Sequence, residues 1–171
     1  MTDRPFKRLN IAVLTISDTR TEEDDLSGRA LLTLLTRGGH RCYEKAMVRD
    51  DKYAIRAVLS QWIFNPDIDV VLTTGGTGIT GRDGTPEAVS PLLDKEISGF
   101  GEMFRVLSFE QIGTSTLQSR CLAGVANRTY IFVLPGSQNA CETAWKQLIE
   151  SQLDNRVMPC NLVMLMPRLQ E

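Results

Sequence analysis

The chain has 171 residues and is 42% hydrophobic, enough for one domain with a core that needs no disulfide or metal staple. Its 19 Lys and Arg against 21 Asp and Glu give a net charge of -2, which argues against a dedicated nucleic-acid binder. No apolar run reaches the length of a membrane span, and Met1 to Arg8 is polar and charged, so a soluble, cytoplasmic protein without signal peptide or membrane partner is expected.

Ile11 to Ile16 opens the pattern as a short apolar run of the kind buried on both faces of a parallel sheet. Leu31, Leu32, Leu34 and Leu35 then predict a helix stopped near Gly38. Arg41 to Val48 is a weaker strand candidate. Asp51 stands as N-cap of a helix whose apolar face is Ile55, Val58, Leu59, Trp62 and Ile63. Val70 to Thr74 is the next buried strand. Thr85 reads as an N-cap with Pro86 at the first helical position. Phe100, Met103, Phe104 and Leu107 mark the apolar face of a further helix. Cys121 to Ala126 and Thr129 to Leu134 flank Asn127-Arg128, a two-residue hairpin turn in which Arg is a poor fit for positive φ. Ser137 caps a last helix carrying Cys141, Ala144, Trp145, Leu148 and Ile149. Strands interleaved with helices predict a three-layer α/β fold around a mostly parallel, mixed sheet. The whole chain, 1–171, reads as one domain, and residues 155–171 as an arm packing on that domain or on a neighbouring subunit.

Cys42, Cys121, Cys141 and Cys160 have no CxxC spacing and read as free, buried thiols. His40 is the only histidine and follows Gly38-Gly39, where it reads as a turn residue. Histidine triads and multi-imidazole zinc sites are therefore not expected. Any chemistry must rest on carboxylates, hydroxyls, arginines and backbone amides.

Those groups cluster after the strands. Thr73-Thr74-Gly75-Gly76-Thr77-Gly78 has three glycines in four positions, which allow a nest of N–H groups suited to phosphate. The same pattern also makes a plain tight turn. It is neither a Walker A loop nor GxGxxG. Arg82 and Asp83 in GRDGTPEA offer a phosphate ligand and an oxygen ligand for Mg²⁺, unless they are a solvated pair. Ser17-Asp18-Thr19 follows the first strand, and Pro135-Gly136-Ser137 follows the last and opens a helix, a second anion site or simply a cap. Asp50 has no local structural reason. These loops would converge on one edge of a parallel sheet, as a pocket for a phosphorylated small molecule.

TTGGTGITGRDGTPEAV resembles the signature of the molybdopterin-binding domain shared by MogA, MoaB, the gephyrin G domain and its plant counterpart. AVLTISDTR, DDLSG, ISGFGEMFR, SFEQIGTSTLQSR and ANRTYIFVLPGS extend the resemblance over nearly the whole chain, and GFGEMFRVLSFEQIGTSTLQSR is closer to MoaB than to MogA. The resemblance implies a trimeric or hexameric protein of molybdenum cofactor assembly. It would bind molybdopterin and adenylylate it with Mg-ATP, releasing pyrophosphate, before a MoeA-type enzyme inserts molybdate. It implies that Asp83 and Asp50 serve metal binding and turnover, and that Asp25 of DDLSG lies on the nucleotide side. Thr74, Gly75, Gly76, Thr77 and Gly78 would cradle phosphate or pterin, with Arg82, Ser119, Arg120, Gly136 and Ser137 near the ligand. A non-catalytic molybdopterin-binding or carrier protein is the alternative.

Overall fold

The computed structural model describes residues 3–170. Strands β1 (Asn10–Ile16), β2 (Arg41–Val48), β3 (Val70–Thr74), β4 (Lys95–Glu96), β5 (Leu122–Ala126) and β6 (Thr129–Leu134) form one sheet in the order β2-β1-β3-β6-β5-β4. β1 is parallel to β2 and β3, and β3 to β6; β5 runs antiparallel to β6 and β4. The mostly parallel, mixed α/β sheet is thus as expected. The hairpin turns at Asn127, whose φ of 56° makes it the one non-glycine residue with positive φ among those described. Asparagine tolerates that backbone, and Arg128 is spared it.

Side chains along each strand alternate between two apolar layers. Leu9, Ile11, Val13, Val70 and Leu72 pack against α1 (Leu26–Arg37), α4 (Ser98–Ile112) and α5 (Gln138–Ala144). Ala12, Leu14, Ile16 and Val71 pack against α2 (Lys52–Phe64) and α3 (Thr85–Val89). Helix α5 continues through a π turn at Trp145–Ile149 into α6 (Glu150–Gln152), one wide turn within the helix expected there. No helix among the described residues is long and apolar enough to cross a membrane.

Asp51 and Ser137 cap α2 and α5 as read from the sequence, accepting from Ala54 N and Ala140 N. Thr85 does not cap α3. The cap position is Gly84, Thr85 is the first helical residue, and its hydroxyl instead donates to Gly75 O at 2.9 Å. Met103 does not belong to the buried face of α4 but is 58% exposed, as are Val106 and Phe109 to a similar extent. A helix with apolar residues on more than one face leaves its inward side undecided by spacing alone. Cys121 and Cys141 are buried free thiols, Cys42 is half-buried, and Cys160 is exposed, contrary to the expectation of burial. In the C-terminal segment, Val163 enters the core and Tyr130 Oη donates to Leu162 O at 2.8 Å, so this stretch packs on its own chain.

His40 is more than a turn residue. Its ring lies between Phe6 and Trp145, and its Nδ1 accepts from Leu9 N at 3.3 Å. Burial, helped by Arg8 and opposed by Asp154, lowers its pKa from 6.5 to about 4. A depressed histidine pKa means that the unfolded chain takes the proton first, so this contribution is full above pH 6.5 and is lost as pH falls through 4. Urea unfolding at pH 7 and pH 4.5 should show a decline of up to roughly 3 kcal/mol from this group. His40→Asn, which keeps an acceptor, should flatten that part of the profile; an unchanged profile would remove His40 as its source.

Candidate functional site

The carboxyl ends of the four parallel strands are nearly level, because Thr15 pairs with Met47 and with Thr74, and Thr74 with Leu134. The loops leaving them therefore meet. They enclose a cleft of about 530 Å³ lined by Ile16 to Arg20 after β1, Asp50 after β2, Gly75 to Gly78, Thr80, Arg82 and Asp83 after β3, and Gly136 after β6. Strand order turns outward in both directions from β1, with β2 on one side and β3 on the other. Such switch points are where open α/β sheets bind ligands.

The glycines are required by contact as well as by backbone angle. Gly75 has φ +105°, and a Cβ there would meet Ile16 O at 2.1 Å. Gly76 has φ +66°, and a Cβ would meet Asp50 Oδ2 at 2.6 Å. At Gly78 the obstacle is Asp83 Oδ2, also at 2.6 Å. The glycine loop therefore brings its backbone against both carboxylates. Thr74 adds no side chain to the cleft: its hydroxyl is buried and donates to Pro135 O at 2.9 Å, which joins the β3 and β6 loops. Thr77 is also buried.

The carboxylates differ in character. Burial raises the pKa of Asp50, and the like charges of Asp83 and Asp18 add to it, against the N–H of Gly84 and the charge of Arg82. Asp83 is lowered, chiefly by the Thr80 hydroxyl, with further bonds from the N–H groups of Thr80 and Gly78. Asp83 is thus the firmly ionised member. Asp18 joins the two loops: its Oδ1 accepts from Asp50 N at 3.2 Å and its Oδ2 pairs with Arg82 Nε at 3.0 Å. Among the described residues no group of three or more His, Cys, Asp or Glu is arranged as a metal site. Asp50 and Asp83 are the carboxylates of the cleft that lie against the glycine loop.

The remaining expected site residues lie outside the cleft lining. Asp25 caps α1, fully buried, accepting from Gly28 N and Thr15 Oγ1, both at 2.9 Å, and pairing with Lys45 Nζ at 2.8 Å. Burial pushes its carboxyl up, but the Lys45 ammonium and these hydrogen bonds bring it below its ordinary value. Arg120 donates from Nε to Gly78 O at 2.8 Å and from Nη2 to Asp83 O at 2.9 Å, and pairs with Glu87. It clamps the loop from behind. Ser119 stands beside it, half-buried, its N–H on Thr116 O. Ser137 is occupied as the α5 cap.

Asp18 was read from the sequence only as part of the Ser17-Asp18-Thr19 loop, with no role of its own, and the lining residues Thr80 and Arg20 were not read as site residues. Thr80 was detectable as an Asp83 partner at i,i-3. Arg20 had no local signal, because its acceptors, Ser27 Oγ at 3.1 Å and Gly136 O at 2.8 Å, come from the first turn of α1 and from the loop after β6.

A buried carboxylate stripped of its ammonium is strongly destabilising. Lys45→Met should lower the unfolding free energy at pH 7 by roughly 3–5 kcal/mol, and the deficit should shrink as the pH falls into the carboxylate range, because burial pushes the Asp25 carboxyl up once its ammonium partner is gone and it takes up a proton. A loss below 1 kcal/mol in denaturant titration would mean that Asp25 does not depend on this pair.

Comparison with known proteins identifies the family. A family model described as a probable molybdopterin binding domain matches residues 12–155. Molybdenum cofactor biosynthesis protein B of Escherichia coli (strain K12) is 58% identical over 156 residues, covering 91% of this chain and 92% of that protein. Its Bacillus cereus namesake is 49% identical over 148 residues, 86% and 88% of the two chains. A crystal structure of a molybdenum cofactor biosynthesis protein B superposes with TM-score 0.85 at 48% identity over 88% of this chain and 94% of that one. The tungsten cofactor synthesizing protein MoaB from Pyrococcus furiosus gives 0.78 at 36% identity over 96% and 99%. The chain therefore belongs to the molybdenum cofactor biosynthesis family of molybdopterin-binding domains, on its MoaB side.

Proposed function

We propose that this protein binds molybdopterin in the strand-end cleft and adenylylates it with Mg-ATP. The observation that carries the reading is the meeting, in one cleft, of a backbone-lined glycine loop with Asp18, Asp50 and Asp83. The glycine loop suits phosphate oxygens, and the carboxylates suit the magnesium of a nucleotide.

The terminal phosphate oxygen of molybdopterin attacks the α-phosphorus of ATP. The bond from that phosphorus to the bridging oxygen breaks, and pyrophosphate leaves with its electron pair. The nucleophile is already anionic at neutral pH, so no strong base is needed. Two anions must instead be brought together and their charge neutralised. Magnesium bound to the nucleotide would supply that neutralisation. Asp83, held ionised by Thr80, would hold it, and Asp50 lies against Gly76 of the same glycine loop. The product is handed on to a MoeA-type molybdate-inserting enzyme.

Mixing the protein with molybdopterin, ATP and Mg²⁺ should yield adenylylated pterin, resolved by chromatography. Asp83→Asn should lower turnover on the order of 100-fold or more while leaving the unfolding midpoint nearly unchanged. Pterin binding without product in the wild-type protein would move the assignment to a carrier.

The same reading includes a homo-oligomer. The tail sends Val163 into its own core but leaves Met158, Met164 and Leu165 exposed, and a further uncovered apolar surface lies on and just after α4, at Met103, Val106, Phe109, Ile112 and Leu117, each more than half exposed. Contiguous apolar exposure of this kind marks an association surface. Light scattering at micromolar concentration should give a multiple of the chain mass, and Val106→Glu with Phe109→Glu should reduce it to a monomer. A wild-type monomer would sink the oligomer.

A further inference from the structure

We infer that Arg20 is a phosphate-binding residue of the cleft, and that it makes the glycine-loop end of the cleft the anion-accepting end. The inference deepens the proposed function and rests on its phosphorylated ligands.

Two arginines line the cleft, and their surroundings differ. Arg82 is 69% exposed at its side chain and ion-paired with Asp18. Arg20 is half-buried, and its recorded partners among the described residues are neutral: the Ser27 hydroxyl through Nη1 and the Gly136 carbonyl through Nη2. A guanidinium has five N–H donors and a permanent charge. Two neutral acceptors fix its plane without cancelling the charge, and donors are left for a further acceptor. The backbone of Arg20 is also fixed, its N–H donating to Ser17 Oγ at 3.0 Å.

Its position matters as much as its charge. A Cβ on Gly136 would lie 3.3 Å from Gly75 Cα and 3.9 Å from Arg20 Nη2. The guanidinium therefore sits where the β3 and β6 loops touch, beside the glycine nest. Asp50 and Asp83 instead abut Gly76 and Gly78 further along the loop. The cleft is polarised, with an unneutralised cation at the Gly75–Gly136 end and carboxylates along Gly76 to Gly78. A phosphate group seated on Gly75 gains a forked, charge-assisted contact from Arg20, while the carboxylate end repels it unless a cation intervenes.

Two groups of the same chemistry compete for this place, the phosphomonoester of the pterin and a phosphate of ATP. Calorimetric titration of wild-type protein, Arg20→Gln and Arg20→Lys with ATP and, separately, with molybdopterin distinguishes them. Arg20→Gln should weaken one ligand by about 10- to 100-fold, with a shallower dependence of affinity on salt. Arg20→Lys should fall between the two, since it keeps the charge and loses the fork. Loss for ATP alone assigns the nucleotide phosphate, and loss for molybdopterin alone assigns the pterin's. Unchanged affinity for both overturns the inference, as does weakening with an unaltered salt dependence, which would mark Arg20 as a brace between loops. Failure of both ligands to bind the wild-type protein also overturns it. Arg20-dependent binding without adenylylated product would remove the proposed catalysis and leave the site standing.

Discussion

The cleft depends on the close approach of Gly75 to the end of β1. With no Cβ at that position, the glycine loop lies directly on the Ile16 carbonyl, and Gly75 N donates to Leu134 O at 3.1 Å. β1, β3 and β6 are thereby joined at their ends as well as along their lengths. Any side chain at Gly75 would displace the loop outward and separate Asp83 from Asp50. The glycine is unfavourable for the conformational entropy of the chain, and the cleft is what that penalty makes room for.

A second constraint lies behind the first. The segment from Ser17 to Asp25 leaves β1 and has little apolar content of its own to hold it down. It is fastened by polar contacts at both ends: Ser17 N to Val48 O at 3.0 Å, and the buried Asp25 to Lys45 and Thr15. Arg20 lies between these fixed points. An ion pair buried at the loop's far end thus determines where a guanidinium at the cleft's edge stands. The charge of Asp25 acts on the site through geometry and not through contact.

Much of this was legible in the sequence, for identifiable reasons. The runs at Ile11, Val70 and Tyr130 are apolar without alternation, which central parallel strands require when both faces are covered. Asp51 and Ser137 announce helix starts because capping is a local interaction, two or three residues in reach. The glycine cluster and Asp83 stood out because the residues that turn the chain and those that meet a ligand lie in one short segment. Other features could not be read locally. Asp25 takes its partner from β2, twenty positions away, so its burial left no trace in DDLSG. Thr85 looked like a cap, and its hydroxyl was instead drawn to the Gly75 carbonyl by tertiary contact. The apolar residues of α4 fit more than one face, and spacing did not tell that Met103 would point outward. β4 pairs only Lys95 and Glu96 with β5, too short a strand to carry a pattern.

The Arg120 clamp bears on how such a site changes over time. Two of its three anchors are main-chain carbonyls, Gly78 O and Asp83 O, and a carbonyl is present whatever side chain its residue carries. The intervening residues, among them exposed Ile79 and Arg82, are held in place by their neighbours' backbone. Substitution there alters what the cleft wall presents without releasing the loop. The fold thus separates the part of the wall that can vary from the part that keeps its shape, and new ligand preferences can be sampled at little risk to the scaffold.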